Sequence, residues 1–263
     1  MKNHFLNFRL LLDKILNFGI ESISNRKYQN TRKYFNNMKN RKENSEMKEY
    51  LLEQFLNDPQ ADVGTGLLAS RDFGFCFVLK QPHRWSKNKE GVPILPFGGI
   101  GGKLEKNELP SQSLHRESLE EVGSDVEITE PNRGTILIDT ESIRKISLST
   151  DLKSEPLPLI IFQSPRAEAG RKPITNVLIY VGRFASNEIR PLDDPALIEL
   201  SGKLLIRIAD KPMAVEEFQR AGGKITSRIE LPENGILQPI GTAIAAAQCI
   251  KVGFITDEIL LER

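Results

Sequence analysis

Seven residues stand in fixed order within the stretch GGKLEKNELPSQSLHRESLEEVGS: Gly102, Glu108, Arg116, Glu117, Glu120, Glu121 and Gly123, spaced G(x5)E(x7)RE(x2)EExG. At roughly 5–7% usage per residue type, such an array arises by accident with a probability on the order of 10⁻⁶, so the seven form one unit. On a helix, Glu117, Glu120 and Glu121 fall at i, i+3 and i+4, which puts three carboxylates on one face within about 5–6 Å. Unpaired, they repel one another. A hard divalent cation removes the conflict, and Mg²⁺ takes a few carboxylates while keeping water and substrate phosphates as its other ligands. Arg116 lies one turn before Glu120, where its fork can hold a carboxylate in orientation. A merely solvated charged helix face would show the same RExxEE, but the accompanying glycine loop, Glu108 and Gly123 argue against it.

The elements that must position these residues are legible around them. An apolar run from 92 to 97 leads into Gly98, Gly99, Gly101 and Gly102, which cannot be helical and read as a loop where backbone approaches a ligand closely. Pro110 suits a first helical position and Gly123 a left-handed C-terminal cap, so the spacing predicts a helix over 110–122.

The array resembles the Nudix box, G(x5)E(x7)REUxEExGU with U aliphatic, the mark of Mg²⁺-dependent hydrolases of nucleoside diphosphates linked to another moiety. That resemblance covers residues 101–124 and implies an α/β/α sandwich with a mixed β-sheet over roughly 60–210. It implies that Arg116 orients a carboxylate and that Glu117, Glu120 and Glu121 bind Mg²⁺, or alternatively Mn²⁺, with the Gly101 carbonyl completing the set. One of these glutamates, or a distal carboxylate, would act as general base. Arg116, Glu117 and Glu120 are thus the expected catalytic residues, and Gly102, Glu108 and Gly123 the structural ones. The metal would neutralise the diphosphate and lower the pKa of the attacking water, giving a nucleoside monophosphate and a phosphorylated leaving group. Ser118 and Ser124 depart from the pattern by standing at aliphatic positions, and Leu109 replaces a hydroxyl cap. The serine loses roughly 1–2 kcal/mol of apolar burial and the missing cap costs about 1 kcal/mol. Leu114, Leu119 and Val122 remain to dock the helix. Gln substitutions at Glu120 and Glu121 are expected to cost orders of magnitude in turnover with the fold nearly unchanged.

The box leaves substrate choice to surrounding loops. Candidates are 81–91, with His83, Arg84 and Trp85, and 163–173, with Arg166, Arg171 and Lys172. Trp85 either stacks on a base or packs as a core residue, and Arg84 and Arg166 are the cations expected to meet phosphate. His115 reads as a half-exposed helix residue. Glu168, Glu188, Asp193 and Asp194 are alternative sources of a distal acidic group.

At 263 residues and 39% hydrophobic content the chain can bury one substantial core. Its charge is unevenly placed: residues 1–46 hold ten Lys/Arg against four Asp/Glu, a local +6, leaving 26 against 31 in the remainder, or −5. The organisation expected is a basic, Asn-rich extension over 1–46, disordered or helical, then a hydrolase domain over 47–210 and a helical C-terminal extension over 211–263 packed on it. Charges interrupt the apolar residues of the extension, so no membrane span or signal-peptide core is expected. Cys76 and Cys249 have no pairing pattern, consistent with reduced thiols in a cytoplasmic protein. Strands are expected at 63–69, 73–80, 94–97, 125–129, 135–139, 157–163 and 177–184, and helices at 195–209, 213–221 and 236–252. The C-terminal tail would complete the core, form a lid or mediate homodimerisation. The leading expectation is a hydrolase acting on a small-molecule nucleoside diphosphate derivative. A nucleotide sensor that binds without cleaving is the alternative, and an RNA-directed hydrolase guided by the basic extension ranks third.

Overall fold

A computed structural model describes residues 49–71, 74–131, 134–166 and 170–255. The expectations for residues 1–46, and Glu168, lie outside the described residues. The described chain opens with strand β1 (Glu49–Leu51), helix α1 (Leu52–Leu56), β2 (Ala61–Arg71), β3 (Gly74–Leu79), β4 (Ser86–Lys87) and β5 (Pro93–Gly98). Helix α2 (Pro110–Val122) is followed by β6 (Val126–Thr129), β7 (Thr135–Ile138), β8 (Ile143–Ser149), β9 (Ile160–Pro165), β10 (Ile174–Phe184) and β11 (Ala196–Leu200). The remainder alternates: α3 (Gly202–Asp210), β12 (Met213–Ala214), α4 (Val215–Arg220), β13 (Lys224–Ser227), β14 (Ile236–Pro239) and α5 (Thr242–Lys251).

The strands assemble into a mixed sheet around β2, which pairs in parallel with β10 from Ala61–Ile174 to Ala69–Gly182 and antiparallel with β3. The β10 sequence ITNVLIYVGRF, rich in β-branched and aromatic residues, suits this half-buried pleated setting. Period-two alternation then builds a core on each face. Leu67, Ala69, Cys76, Val78, Leu178 and Tyr180 join Leu114 and Val122 of α2, while Leu68, Phe75, Phe77, Leu79, Leu95 and Phe97 join α3 and α5. Helices thus cover both faces of one mixed α/β sheet, the layering expected from the sequence.

The run after Pro195 differs from the expected helices. Ala196–Leu200 is a strand between β3 and β13, and all five of its residues are buried. Its apolar side chains supply both cores, Leu197 one and Ile198 the other, which a one-sided helix does not do. Ser201 then caps α3 by accepting from the Leu204 amide. Likewise Ile236–Pro239 pairs in parallel with β5 before Gly241 opens α5, so the expected helical extension contributes strands to the sheet.

The small-residue run of α5 lets it approach the sheet closely. A Cβ on Gly66 would lie 2.1 Å from Thr242 Oγ1, and one on Gly99 would lie 2.7 Å from Thr242 Cβ. These two glycines therefore serve helix packing, not ligand approach.

Candidate active site

Helix α2 begins at Pro110 and ends at Gly123, whose φ of 71° is left-handed and whose amide donates to the Leu119 carbonyl. Both ends are satisfied in ways the local sequence only half announces. At the start, the Leu109 amide donates to Gln112 Oε1. The hydroxyl cap that Leu109 lacks is replaced from a distant loop: Glu155 accepts from the Ser111 amide at 2.9 Å and from Ser111 Oγ at 2.7 Å. This buried carboxylate also faces the positive end of the helix dipole, a favourable placement. At the other end, Arg190 and Leu192 donate to the Val122 and Glu121 carbonyls. Glu155→Ala should lower stability by about 2 kcal/mol, or roughly 4–8 °C in Tm, by thermal unfolding; an unchanged Tm would contradict the cap.

The two departing serines are buried and bonded. Ser118 Oγ donates to the Ser124 carbonyl at 2.7 Å, and Ser124 Oγ donates to the Asp125 carbonyl and accepts from the Ser186 amide. The expected loss of apolar burial is offset by these bonds. Leu119, expected as a docking residue, is instead 51% exposed. Five residues past Leu114 it lies roughly 140° around the helix, whereas Ser118, Glu121 and Val122 share the buried face.

Arg116 gathers three of the box glutamates. Its Nε and Nη2 donate to the two oxygens of Glu108 at 2.8 and 3.1 Å, and Nη1 donates to Glu117 Oε1 at 2.8 Å and Glu120 Oε2 at 3.2 Å. The other oxygen of Glu117 and of Glu120 stays outside this clamp. Glu108 also accepts from the Glu105 amide, which anchors the loop to the helix. Arg116, ahead of opposing burial, holds the Glu108 carboxyl below its ordinary value of 4.5. A depressed carboxylate binds fewer protons folded than unfolded, so its contribution is complete above the unfolded value and lost as pH falls through the folded one. Glu108→Gln should therefore cost about 1–3 kcal/mol at pH 7, with the deficit shrinking below about pH 4.5. Urea unfolding across pH 3–7 measures it, and a pH-independent deficit would contradict the ion-pair assignment.

The glycine loop meets this clamp directly. Gly102 and Ile100 accept from the Thr65 and Leu67 amides, so the intervening Gly101 turns its own amide and carbonyl away from β2. The Gly101 amide donates to Glu121 Oε2 at 3.0 Å. Glu117 lies so close to Gly102 that a Cβ there would stand 2.1 Å from Oε1.

Glu121 is separated from its two neighbours. Lys80, at the end of β3, donates to Glu121 Oε1 at 3.1 Å and to Asp194 Oδ2 at 3.2 Å, and all three side chains are largely buried. Burial, with Asp194 adding to it against the pull of Lys80, pushes Glu121 up to about 7. Burial opposes the charge on Lys80, but Glu121 and Asp194 outweigh it and hold the ammonium above the usual lysine range. Two carboxylates thus share one cation. Lys80 carried no signal in the sequence, because its role exists only once β3, α2 and the turn before β11 meet.

Among the described residues, no group of three or more Asp, Glu, His or Cys side chains is gathered for a metal. The hard oxygens of Glu117, Glu120 and the Gly101 carbonyl suit Mg²⁺ or Mn²⁺. Those of Glu121 accept from the Lys80 ammonium and the Gly101 amide. Of the other expected residues, Asp194 reaches the box helix through Lys80, while Asp193 and Glu188 are exposed. The Trp85 indole donates to the Lys80 carbonyl at 2.7 Å, and the partly buried ring packs against the core. Arg84 is exposed on a single 3₁₀ turn (Pro82–Arg84). Arg166 pairs with Asp62 at 2.9 Å, beside Lys103, which donates to the same carboxylate. His115 is half exposed and pairs with Asp125.

No family model matches the chain, and no curated protein does. Several solved structures are similar to it. A Nudix-family hydrolase from Clostridium perfringens is 15% identical, over 73% of this chain and 97% of that one, with a TM-score of 0.37. A MutT Nudix hydrolase from Burkholderia pseudomallei is 20% identical over 55% and 85%, TM-score 0.31. A UDP-X diphosphatase is 10% identical over 97% of both chains, TM-score 0.33. Among the described residues no helix is long and apolar enough to cross a membrane.

Proposed function

We propose that the protein is a divalent-metal-dependent hydrolase that cleaves the diphosphate linkage of a nucleoside diphosphate derivative. The observation that carries this reading is the seating of Glu117: held by Arg116 at 2.8 Å and pressed onto Gly102, where no larger residue fits. A solvated helix face has no need of such a contact between a glycine loop and a carboxylate. Mg²⁺ or Mn²⁺ would be held by Glu117, Glu120 and the Gly101 carbonyl, and when bound it supplies charge neutralisation and a more acidic water. Arg116 fixes the directions of Glu117 and Glu120 through one guanidinium, and Glu108 fixes Arg116. Glu120, with one oxygen outside the clamp and its side chain 50% exposed, is the proton acceptor in this reading. Arg166 and Lys103 are the nearby cations we assign to the remaining charge of the substrate.

In water enriched in ¹⁸O, hydrolysis should place the label on a product phosphate oxygen. Products without label would mean transfer to another acceptor and would overturn the assignment. Nucleotide binding with no labelled product would select the alternative, a sensor that binds without cleaving.

A further inference from the structure

The first residues of β2 carry a cluster of charges outside the Arg116 clamp. The loop after the box glycines runs along this strand: the Leu104 amide donates to the Val63 carbonyl at 3.1 Å, and Lys103 bridges to Gly64. From there Lys103 Nζ donates to Asp62 Oδ1 at 3.2 Å, while Arg166 Nη1, just past β9, donates to Oδ2 at 2.9 Å. Lys172 Nζ is anchored on the adjoining Ala61 carbonyl at 2.9 Å. Thr175 lies in register with Asp62 on β10, and its buried Oγ1 has no partner among the described residues. Lys103 is 62% exposed and Arg166 34%, so these ion pairs contribute little to stability. What they do is aim: one largely buried carboxylate fixes the ends of two long side chains that otherwise sample many rotamers.

Charge does not balance within this cluster. Three cations act on one carboxylate, which leaves two of them unanswered. A diphosphate that bridges two groups carries about two negative charges, and one divalent ion offsets them. A substrate charged only at its diphosphate therefore meets nothing that calls for Lys103 and Arg166 to be held together. We infer that Asp62 is a positioning residue that aims Lys103 and Arg166 at one further phosphate of the substrate, carried at the end of the phosphate chain or on a sugar. The preferred substrates are then those with at least one phosphate more than the cleaved bond requires. That this phosphate belongs to a substrate rests on the hydrolase reading; the anion subsite itself does not.

Inorganic diphosphate and tripolyphosphate differ by one phosphate and carry no base, so the ratio of their dissociation constants, measured by calorimetry on the full chain with Mg²⁺, reads the subsite. The wild type should bind tripolyphosphate about tenfold tighter, and Arg166→Gln or Lys103→Gln should reduce that preference to about threefold or less. Asp62→Asn separates aiming from bulk charge, because it adds one unit of positive charge. A diffuse basic patch would then prefer tripolyphosphate more strongly. A subsite built on Asp62 loses the preference instead, and Asp62→Glu, which restores the carboxylate, recovers part of it. Should Asp62→Asn fail to fold, the Arg166→Gln and Lys103→Gln ratios decide. A ratio near one in the wild type, a ratio that rises in Asp62→Asn, or wild-type ratios in both cation variants overturns the inference. ATP against ADP and NADP⁺ against NAD⁺ tell the two sources apart: the first preference places the phosphate at the chain end, the second on a ribose, and indifference in both overturns the inference. A protein that shows the Asp62-dependent preference yet cleaves no diphosphate derivative would lose the hydrolase reading and keep the subsite.

Discussion

Glu120→Gln should lower turnover by about 10²–10⁴-fold while changing the unfolding free energy by no more than about 0.5 kcal/mol. The side chain is half exposed, and its single contact in the clamp, Arg116 Nη1 to Oε2, can be kept by the amide oxygen of glutamine. What glutamine cannot do is accept the proton of the attacking water or offer a charged oxygen to the cation. Steady-state kinetics beside urea unfolding separates the two effects. A variant equally stable and fully active would remove Glu120 from the chemistry. Glu121→Gln differs from the sequence expectation of an untouched fold, because Glu121 is buried against Lys80 and Asp194. Beside the expected loss of turnover it should misplace the glycine loop, whose Gly101 amide donates to this carboxylate.

Gly102→Ala is the second large effect, and it comes from sterics alone. The new methyl would stand 2.1 Å from Glu117 Oε1 and 2.6 Å from Cδ. The carboxylate must therefore move by about an ångström, while Arg116 holds it from the other side. A misplacement of about 1 Å at a reacting centre costs roughly 10²-fold, and overpacking of this kind about 1–3 kcal/mol. Adding Glu117→Asp, which shortens the acid by one methylene, should recover part of the stability but not the rate. Wild-type stability in Gly102→Ala alone would contradict the contact.

The box helix was legible to the residue because Pro110 and Gly123 punctuate it with backbone chemistry that depends on no distant neighbour. The clamp was legible in part: Arg116 and Glu120 share a helix face, but its bidentate hold on Glu108 requires the loop to fold back. The division of the three glutamates was not legible, since helical spacing places Glu117 and Glu121 alike and only Lys80 and Asp194 tell them apart. Glu155 lies 44 residues from the Ser111 it caps, so no local pattern could announce it. Ser118 and Ser124 looked like losses because their partners are made by the turn that follows the helix. The strand at Ala196–Leu200 was hidden because a short apolar run buried on both faces carries no period of its own.

Product release decides whether the Arg116 clamp and the glycine loop serve a metal-dependent diphosphate hydrolase. A panel of nucleoside diphosphate derivatives would be incubated with Mg²⁺ or with chelator, wild type beside Glu120→Gln, and products resolved by anion exchange. Cleavage to a nucleoside monophosphate that needs metal and is lost in the variant is the predicted result. No cleavage across the panel by folded wild-type protein that binds Mg²⁺, or cleavage indifferent to both chelator and variant, would contradict it.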